Sequence, residues 1–288
     1  MSRVYEALRQ SDAEAGRPAA LLDADSLASL HAAAPPTNAE TNTTVDLDMA
    51  LRFRSSPPPQ TRLVALTEDN SLGAEKFRLL RARIRTLRER QQVRRIVISS
   101  AVPEEGKTLV SINLAVSLAK HTSEKILLLE GDLRKPTFAH RLRMQAVRGI
   151  GEWFASEEPI SKFLYHFDNL QLWLLPGGIC HDNPLTILQS RRFLEAYNQL
   201  CGTFDWVLVD APPLQPMADV NFWAHQTDGL LLVCREGRTP RTALKKGLET
   251  LDMPRLVGVV LNCARTAEGS YYHHYYYAGS TKPSTENS

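Results

Sequence analysis

The chain has 288 residues, and 43% of them are apolar, which is enough for one large α/β domain with extensions or for two small domains. Its formal net charge of +2 gives no global attraction to nucleic acid or to a membrane surface, so no nucleic-acid partner is expected. Four widely spaced cysteines without a CxxC pair argue against a zinc site or a disulfide framework, and no apolar run approaches the roughly 18 to 20 residues that span a bilayer. A reducing cytoplasm fits this composition best.

The N-terminal sixty residues predict little packed structure. Residues 1–10 predict a short helix, because Val4, Tyr5 and Leu8 fall on one side at helical spacing, and it would be either a tethered docking peptide or a frayed terminus. Residues 11–61 are interpreted as a disordered linker, since their Ala, Ser, Thr, Asn, Asp and Pro bury too little surface to offset the entropy of ordering. The main domain is then expected over 62–266, with a flexible tail over 267–288.

A strongly basic helix is predicted over residues 73–92. Its apolar positions recur at three- and four-residue steps, at Phe77, Leu80, Ile84 and Leu87. Between Glu75 and Arg95 there are nine Lys or Arg against two Glu, which makes a cationic stripe in a nearly neutral protein. The stripe is either a solvated helix face or a surface for a carboxylate partner, another subunit or anionic lipid.

Six short apolar runs then alternate with segments of helical length. Runs without polar alternation are typical of parallel strands buried on both faces, so we predict an α/β fold with a mostly parallel sheet and helices on both faces. The ligand site of such a sheet lies at the C-terminal ends of its strands. The runs fall near 95–99, 126–129, 170–176, 206–210, 230–234 and 256–262.

A phosphate-binding loop is predicted directly after the first core strand, in the string AVPEEGKT at 101–108. Backbone N–H groups and the following helix N-terminus would wrap the phosphates, Lys107 would reach the β- and γ-phosphates of ATP, and the Thr108 hydroxyl would ligate Mg²⁺. The charges of Glu104 and Glu105 lie where phosphate must approach and could lower the affinity for nucleotide. The candidate nucleotide contacts of this loop are Glu105, Gly106, Lys107, Thr108 and Leu109.

Two carboxylates follow buried strands elsewhere in the chain. Asp132 comes after the second core strand, and Asp210 ends a later one. Either aspartate alone could be a helix cap, but a carboxylate at the end of a strand beside a phosphate-binding loop is the usual means of holding Mg²⁺ or its waters. The three motifs together therefore favour a metal-assisted nucleotide site.

Five of the eight tyrosines lie within seven residues near the C-terminus, at Tyr271, Tyr272, Tyr275, Tyr276 and Tyr277. Tyrosine has an apolar body and a hydroxyl that needs a partner, so a run of them beside a polar end cannot all belong to a core. The run is interpreted as a row of phenols that takes part in chemistry. The adjacent His273 and His274 have no carboxylate or thiol neighbour in the run, and we expect them to be solvated rather than bound to metal.

Taken in chain order, these motifs resemble those of the bacterial tyrosine kinases of capsule and exopolysaccharide synthesis, which are autokinases on a deviant P-loop NTPase fold. The resemblance covers about residues 62–277. It rests on the tyrosine-rich tail and on four motifs: Glu75-x-x-Arg78-x-x-Arg81, Glu105-Gly106-Lys107-Thr108, Asp132-x-Arg134-x-Pro136 and Asp210-x-Pro-Pro213.

The resemblance implies transfer of the ATP γ-phosphoryl group to tail tyrosines of a neighbouring subunit in a ring, with Glu75, Arg78 and Arg81 in the subunit contact. It also implies activation by the cytosolic tail of a membrane polysaccharide co-polymerase or chain-length regulator. The chain would then be cytoplasmic and held at the inner face of the cell membrane through that partner. Asn262 resembles the asparagine that contacts adenine in related ATPases, although a strand-end turn also favours asparagine.

The family places an aspartate two positions before Asp132 to orient the tyrosine hydroxyl and to take its proton. This chain has Glu130 there, which keeps the carboxylate and adds a methylene. Since Glu104 also stands where the family usually has glycine, a catalytically weak nucleotide-binding scaffold of the export machinery is the alternative. A partitioning or division-site ATPase is disfavoured, because Val102 occupies the position of that class's second lysine.

Overall fold

A computed structural model describes residues 44–120, 122–214, 219–249 and 256–264. The chain divides after Thr44, and the described residues from Val45 onward belong to one compact unit. The helices of the described residues are α1 Val64–Thr67, α2 Leu72–Gln91, α3 Lys107–Ala119, α4 Phe138–Leu142, α5 Ile150–Phe154, α6 Pro184–Leu188, α7 Arg191–Thr203, α8 Asp219–Gln226 and α9 Arg241–Glu249. The strands are β1 Leu51–Phe53, β2 Arg95–Ser100, β3 Ile126–Glu130, β4 Tyr165–Phe167, β5 Leu172–Leu175, β6 Trp206–Asp210, β7 Gly229–Arg235 and β8 Leu256–Asn262. Short 3₁₀ turns lie at Leu47–Met49, Pro59–Thr61 and Ile160–Phe163.

The eight strands form one sheet in the order β1-β4-β5-β3-β6-β2-β7-β8. Every described pairing is parallel except that of β4 with β5. The central strands β3, β5 and β6 are buried at every position, as expected for strands covered on both faces. The predicted α/β fold with a mostly parallel sheet is confirmed, and each of the six apolar runs overlaps one of its strands.

Helices cover both faces of the sheet. On one face, α3 and the apolar side of α2 pack against alternate strand residues such as Ile126 and Leu128. The intervening Leu127 and Leu129 are also buried, and they point to the opposite face. On that face the Trp223 ring of α8 and the Val209 side chain of β6 both lie so close to Gly131 that a Cβ atom on this glycine would overlap them. The core is therefore two layers of side chains separated by the sheet.

The basic helix α2 starts one residue before its predicted range and ends one residue before the predicted end. The Ser71 hydroxyl accepts a hydrogen bond from Ala74 N (3.1 Å), which is the usual N-cap arrangement. Ile84 is buried, and Phe77, Leu80 and Leu87 pack against the core, as their spacing predicts. The opposite side of the helix carries the arginines.

Part of the predicted linker is folded, which corrects the boundary drawn at residue 61. Strand β1 joins the edge of the sheet by parallel pairing with β4, and the Phe53 and Phe167 rings meet edge to face at 4.9 Å. Val45 N donates to the Thr203 hydroxyl (3.0 Å), and the Ser55 hydroxyl donates to Leu142 O (2.8 Å). These contacts attach residues 45–61 to the domain although their composition is poor in apolar side chains. The predicted helix at 1–10, linker residues 11–43 and the tail at 267–288 lie outside the described residues.

The structure has no helix long and apolar enough to cross a membrane in the part of the chain that it describes.

Candidate active site

The loop between β2 and α3 has a backbone that demands glycine at its end. Gly106 has φ of 93°, in the left-handed region, and a Cβ there would overlap the Nδ2 of Asn262. Glu104 also has a positive φ, of 64°. Strand, loop and helix follow one another as predicted, and α3 starts at Lys107 with its first N–H groups at the mouth of the loop.

The two acidic residues of the loop occupy different environments. Glu105 is only 2% exposed, and its carboxylate accepts hydrogen bonds from Val102 N (3.0 Å) and from the Thr239 hydroxyl. Glu104 is exposed, and its carbonyl accepts from Arg235 Nη1 (3.4 Å). The carboxylate of Glu105 therefore braces the loop from within, and the exposed Glu104 carboxylate remains the candidate for repelling phosphate.

Asn262 connects the end of β8 to the same loop. Its Nδ2 donates to Glu105 O (2.8 Å), and its Oδ1 accepts from Cys263 N (2.9 Å). Both ends of the side-chain amide are thus engaged in holding the loop and the strand end. A contact of Asn262 with an adenine ring remains a prediction.

The cationic and metal-ligating candidates meet at the ends of β3 and β6, which are neighbours in the sheet. Lys107 Nζ lies 2.9 Å from Asp132 Oδ2, and the Thr108 hydroxyl donates to Asp210 Oδ2 (2.6 Å). The Ser111 hydroxyl, one turn further along α3, lies 3.1 Å from Asp210 Oδ1. The structure thus brings together all four of the side chains that the sequence predicted for this point: Lys107, Thr108, Asp132 and Asp210.

Burial and charge work against each other in this cluster. Burial disfavours the charged form of Lys107, but the nearby charges of Asp210 and Asp132 outweigh it and raise the pKa of the ammonium group. Burial raises the pKa of Asp210, although the Lys107 charge and the hydroxyl of Thr108 oppose that effect. A dication bound here would stabilise the charged form of Asp210, which is otherwise surrounded by protein.

The donor set fits Mg²⁺. Thr108, Asp132 and Asp210 offer only oxygen atoms, which are the ligands that Mg²⁺ prefers. No group of three or more His, Cys, Asp or Glu could hold a metal ion within the described ranges. Mg²⁺ commonly takes one or two protein carboxylates and completes its shell with phosphate oxygens and water, so these residues fit an ion that arrives with a nucleotide.

Glu130 links two loops through its carboxylate. The side chain is 1% exposed, and Oε1 accepts hydrogen bonds from Thr137 N and from Phe138 N (2.8 Å) at the start of α4. Oε2 accepts from Gly177 N (2.9 Å) in the segment after β5. Burial raises the pKa of Glu130 to about 7, against the opposing effect of the three backbone hydrogen bonds. Glu130 is therefore at least a clamp between these loops, a role that the sequence did not predict.

A bidentate ion pair fixes α8 to the loop after β3. Arg134 Nε and Nη2 donate to the two carboxylate oxygens of the buried Asp219, at 2.8 and 3.2 Å, and Trp223 Nε1 donates to Gly131 O (3.2 Å). Arg134 belongs to the motif Asp132-x-Arg134-x-Pro136, but the motif did not predict this ion pair. Ser111 was missed although it lies one helical turn from Lys107, a spacing that could have identified it. No motif or spacing in the sequence predicts the contact of Thr239 with Glu105.

The three residues predicted for a subunit contact are engaged within this chain. Arg78 lies 2.6 Å from Glu75 and also contacts Asp69, while Arg81 Nη1 donates to Ser117 O (2.9 Å) near the end of α3. The helix that carries them is thereby tied to the helix that carries Lys107. The five tail tyrosines, His273 and His274 lie outside the described residues.

A strand, a glycine-terminated loop and a buried helix with two aspartates at adjacent strand ends define a P-loop nucleotide-binding protein of the α/β class. No protein-family profile matches the chain. The tyrosine-protein kinase YwqD of Bacillus subtilis is 30% identical over 226 residues, which cover 78% of this chain and 95% of YwqD. The succinoglycan biosynthesis transport protein ExoP of Rhizobium meliloti is 30% identical over 211 residues, which cover 71% of this chain and 27% of ExoP.

Two solved structures have the same fold as this chain over most of its length. The chimerical protein CapA2B2 superposes with a TM-score of 0.67 at 26% identity, covering 76% of this chain and 96% of that one. The VpsO kinase domain superposes with a TM-score of 0.58 at 30% identity, covering 68% of this chain and all of that domain. The chain belongs to the family of bacterial tyrosine-protein kinases, whose members take part in capsule and exopolysaccharide biosynthesis.

Proposed function

We propose that this chain is an ATP-dependent protein-tyrosine autokinase that phosphorylates its own C-terminal tyrosine cluster, between subunits, and thereby regulates the polymerisation and export of an extracellular polysaccharide. The observation that carries the proposal is the meeting of Lys107, Thr108, Asp132 and Asp210 at one end of the sheet, in a chain with five tyrosines between positions 271 and 277. The similarity to the tyrosine-protein kinase YwqD supports the proposed kinase activity. The similarity to the succinoglycan biosynthesis transport protein ExoP supports the proposed role in polysaccharide export.

Lys107 and the loop amides bind the phosphates of ATP, and Leu109 N lies among the first free N–H groups of α3. Thr108, Asp132 and Asp210 would hold Mg²⁺ directly or through water. The ion, when bound, neutralises charge on the transferring phosphoryl group. Lys107 can exchange its ion pair with Asp132 for the phosphates when ATP binds.

The transfer needs positioning more than covalent help, because the transition state of phosphoryl transfer is loose. The phenolic oxygen of an acceptor tyrosine forms a bond to the γ-phosphorus while the bond from that phosphorus to the β–γ bridging oxygen breaks and ADP leaves. The phenolic proton passes to the Glu130 carboxylate. Oε2 of Glu130 accepts one described hydrogen bond, from Gly177 N, and keeps a lone pair for that proton.

Transfer between subunits requires assembly, and we place the contact at Glu75, Arg78 and Arg81 of α2. Glu75 and Arg78 are each more than a third exposed and can exchange their internal pair for partners on a second copy. The proposed assembly is a ring. An activating cytosolic tail of a membrane polysaccharide co-polymerase would hold the ring at the inner face of the cell membrane, which is the arrangement that the resemblance implies.

The test is to incubate the purified full-length chain with Mg-ATP, with and without the cytosolic tail of its membrane partner, and to map phosphotyrosine by mass spectrometry. Transfer between subunits is isolated by mixing two variants. One carries Lys107→Met with an intact tail, and the other keeps Lys107 with all five tail tyrosines changed to phenylalanine. Phosphate on the tail of the first variant, in the mixture only, is the expected result. No phosphotyrosine at 271–277 in the wild-type chain under either condition would refute the kinase.

The second candidate function is a nucleotide-binding scaffold of the export machinery with little kinase activity. It is favoured by the three backbone hydrogen bonds on Glu130, which use lone pairs that a proton acceptor needs. Binding of Mg-ATP in calorimetry together with the absence of phosphotyrosine in the assay above would establish this alternative. Phosphotyrosine on the tail would exclude it.

A further inference from the structure

An open cleft of about 820 Å³ lies beside the nucleotide site. Its walls are the segment Pro58 to Arg62, the first turn of α3 at Leu109, and helix α4 with the residues that follow it. Leu109 directly follows Thr108, and Thr137 in the opposite wall donates its N–H to Glu130. The cleft is thus adjacent to the catalytic candidates, but none of the nucleotide-binding or metal-ligating side chains except Leu109 lines it.

The cleft is strongly cationic. Three arginines and one histidine line it, at Arg62, Arg141, Arg143 and His140, and no acidic residue does. None of the three arginines has an ion-pair partner among the described residues, whereas Arg78, Arg85 and Arg88 of α2 pair with Glu75 or Glu124, and Arg134 pairs with Asp219. The Arg141 Nε is buried without a hydrogen-bond partner in the described part of the chain. Unpaired guanidinium groups around a cleft are the usual receptor for phosphate.

The wall that carries Arg62 is fixed to the nucleotide-binding helix. Asn113 of α3 donates its Nδ2 to Arg62 O (3.2 Å) and accepts a hydrogen bond from Ala65 N (2.9 Å) at its Oδ1. Arg62 and Arg143 both have a left-handed backbone, with φ of 58° and 54°, which L residues rarely adopt. The two turns that present these guanidinium groups are therefore held in place by the packed core rather than by an intrinsic preference.

We propose that this cationic cleft binds phosphotyrosine in the C-terminal tail of a second copy of the chain. The proposal rests on the proposed autokinase function, which supplies the anion. Residues 269–281 contain no acidic side chain before reaction, and each phosphorylation adds about −1.5 to −2 charges. Because five tyrosines lie within seven residues, a phosphotyrosine three positions from the next acceptor is about 10 Å from it in an extended chain. A modified tyrosine in the cleft would thus keep its unmodified neighbours beside the nucleotide site.

The binding test needs no ATP and no kinase activity, so it is independent of the proposed function. A fluorescent peptide of residues 269–281, with or without phosphate on Tyr275, is titrated with the full-length, phosphatase-treated chain at 0.15 M salt. We expect the phosphopeptide to bind at least 10-fold more tightly than the unmodified peptide. Equal binding of the two peptides would overturn the proposal.

The double variant Arg141→Gln with Arg143→Gln should remove the preference for phosphate, and Arg62→Gln alone should reduce it. The matched control is Arg90→Gln with Arg94→Gln, which removes the same charge at two exposed arginines without described ion pairs outside the cleft. An equal loss in the control would show diffuse attraction only, and preserved binding in both cleft variants would place the phosphate elsewhere. Either result overturns the proposal, as does inorganic phosphate competing as well as a phosphotyrosine peptide does. Melting curves confirm that each variant is folded.

Discussion

Glu130→Gln separates the structural role of this residue from its proposed chemical role. In the folded protein Oε1 accepts two backbone N–H groups and Oε2 accepts a third, all in a buried environment. An amide has one acceptor oxygen, so its NH₂ group must face either Gly177 N–H or the pair at Thr137 and Phe138. Leaving a buried donor without an acceptor costs about 1–3 kcal/mol. For a domain of this size that corresponds to a fall in Tm of roughly 2–12 °C.

The assay has two measurements on the same samples, urea denaturation without nucleotide and tail phosphorylation with Mg-ATP. Loss of a general base should also lower the phosphorylation rate by about 10²–10⁴-fold. The matched control is Glu152→Gln. The Glu152 carboxylate likewise accepts hydrogen bonds from backbone N–H groups, those of Gly149 (2.7 Å) and Ile179 (3.0 Å), and Ile179 lies two residues after Gly177. The control should lose stability and keep its rate.

Unchanged stability of Glu130→Gln would refute the clamp, and an unchanged rate would refute the proton acceptor. Glu130→Asp is the companion variant. Its side chain is one methylene shorter and cannot reach both loops, so its stability should fall. A higher rate in spite of that loss would show that the additional methylene of Glu130 hinders the reaction.

Four further predictions concern the phosphate-binding lysine, the glycine of the loop, assembly and pH. Lys107→Met should abolish tail phosphorylation, and phosphotyrosine persisting in its mass spectrum would contradict the assigned role. Gly106→Ala should lower Tm and weaken the thermal shift produced by Mg-ATP, because the new Cβ overlaps Asn262 at a left-handed φ; Gly202→Ala, where nothing lies within 4 Å, is the control and should be neutral or stabilising by up to about 1 kcal/mol. Replacing Arg78 and Arg81 by alanine should reduce the oligomer mass in light scattering, and an unchanged mass would rule out their contact role. Burial alone would raise the pKa of Asp228, but hydrogen bonds from Arg95 and from Arg94 N lower it below its usual value. The charged carboxylate therefore stabilises the fold above that value, and the stabilisation is lost as pH falls through the lowered pKa. Asp228→Asn should be less stable at pH 7, with a gap from wild type that narrows towards pH 3 in chemical denaturation; a constant gap would contradict this.

The sequence was most informative where strands are buried on both faces. Runs such as WVLVD have no polar alternation, so composition alone predicts that they are strands and that helices cover both of their faces. The edge strand β1 and its neighbour β4 escaped prediction, because each has three residues and is stabilised mainly by pairing and by the contact of Phe53 with Phe167. Local sequence cannot reveal a strand whose support comes from a segment more than one hundred residues away.

The candidate site shows the same division. Lys107, Thr108, Asp132 and Asp210 were predictable because the carboxyl ends of parallel strands converge. The direction of the Glu105 side chain was not, since it depends on Thr239, a residue 134 positions later. Glu130 was identified as a carboxylate near the reaction, but its hydrogen bonds to two loops are tertiary contacts that no spacing rule encodes.

The first and last of the described strands, β1 and β8, lie at opposite edges of the sheet. β1 is the first strand in the sheet order and β8 is the last, so seven inter-strand gaps separate them. At about 4.8 Å per gap, the two edges of the sheet are roughly 34 Å apart. A short peptide bound on β1 would therefore not also reach β8. A ligand that joined the two edges of the sheet would have to be at least as long as the sheet is wide.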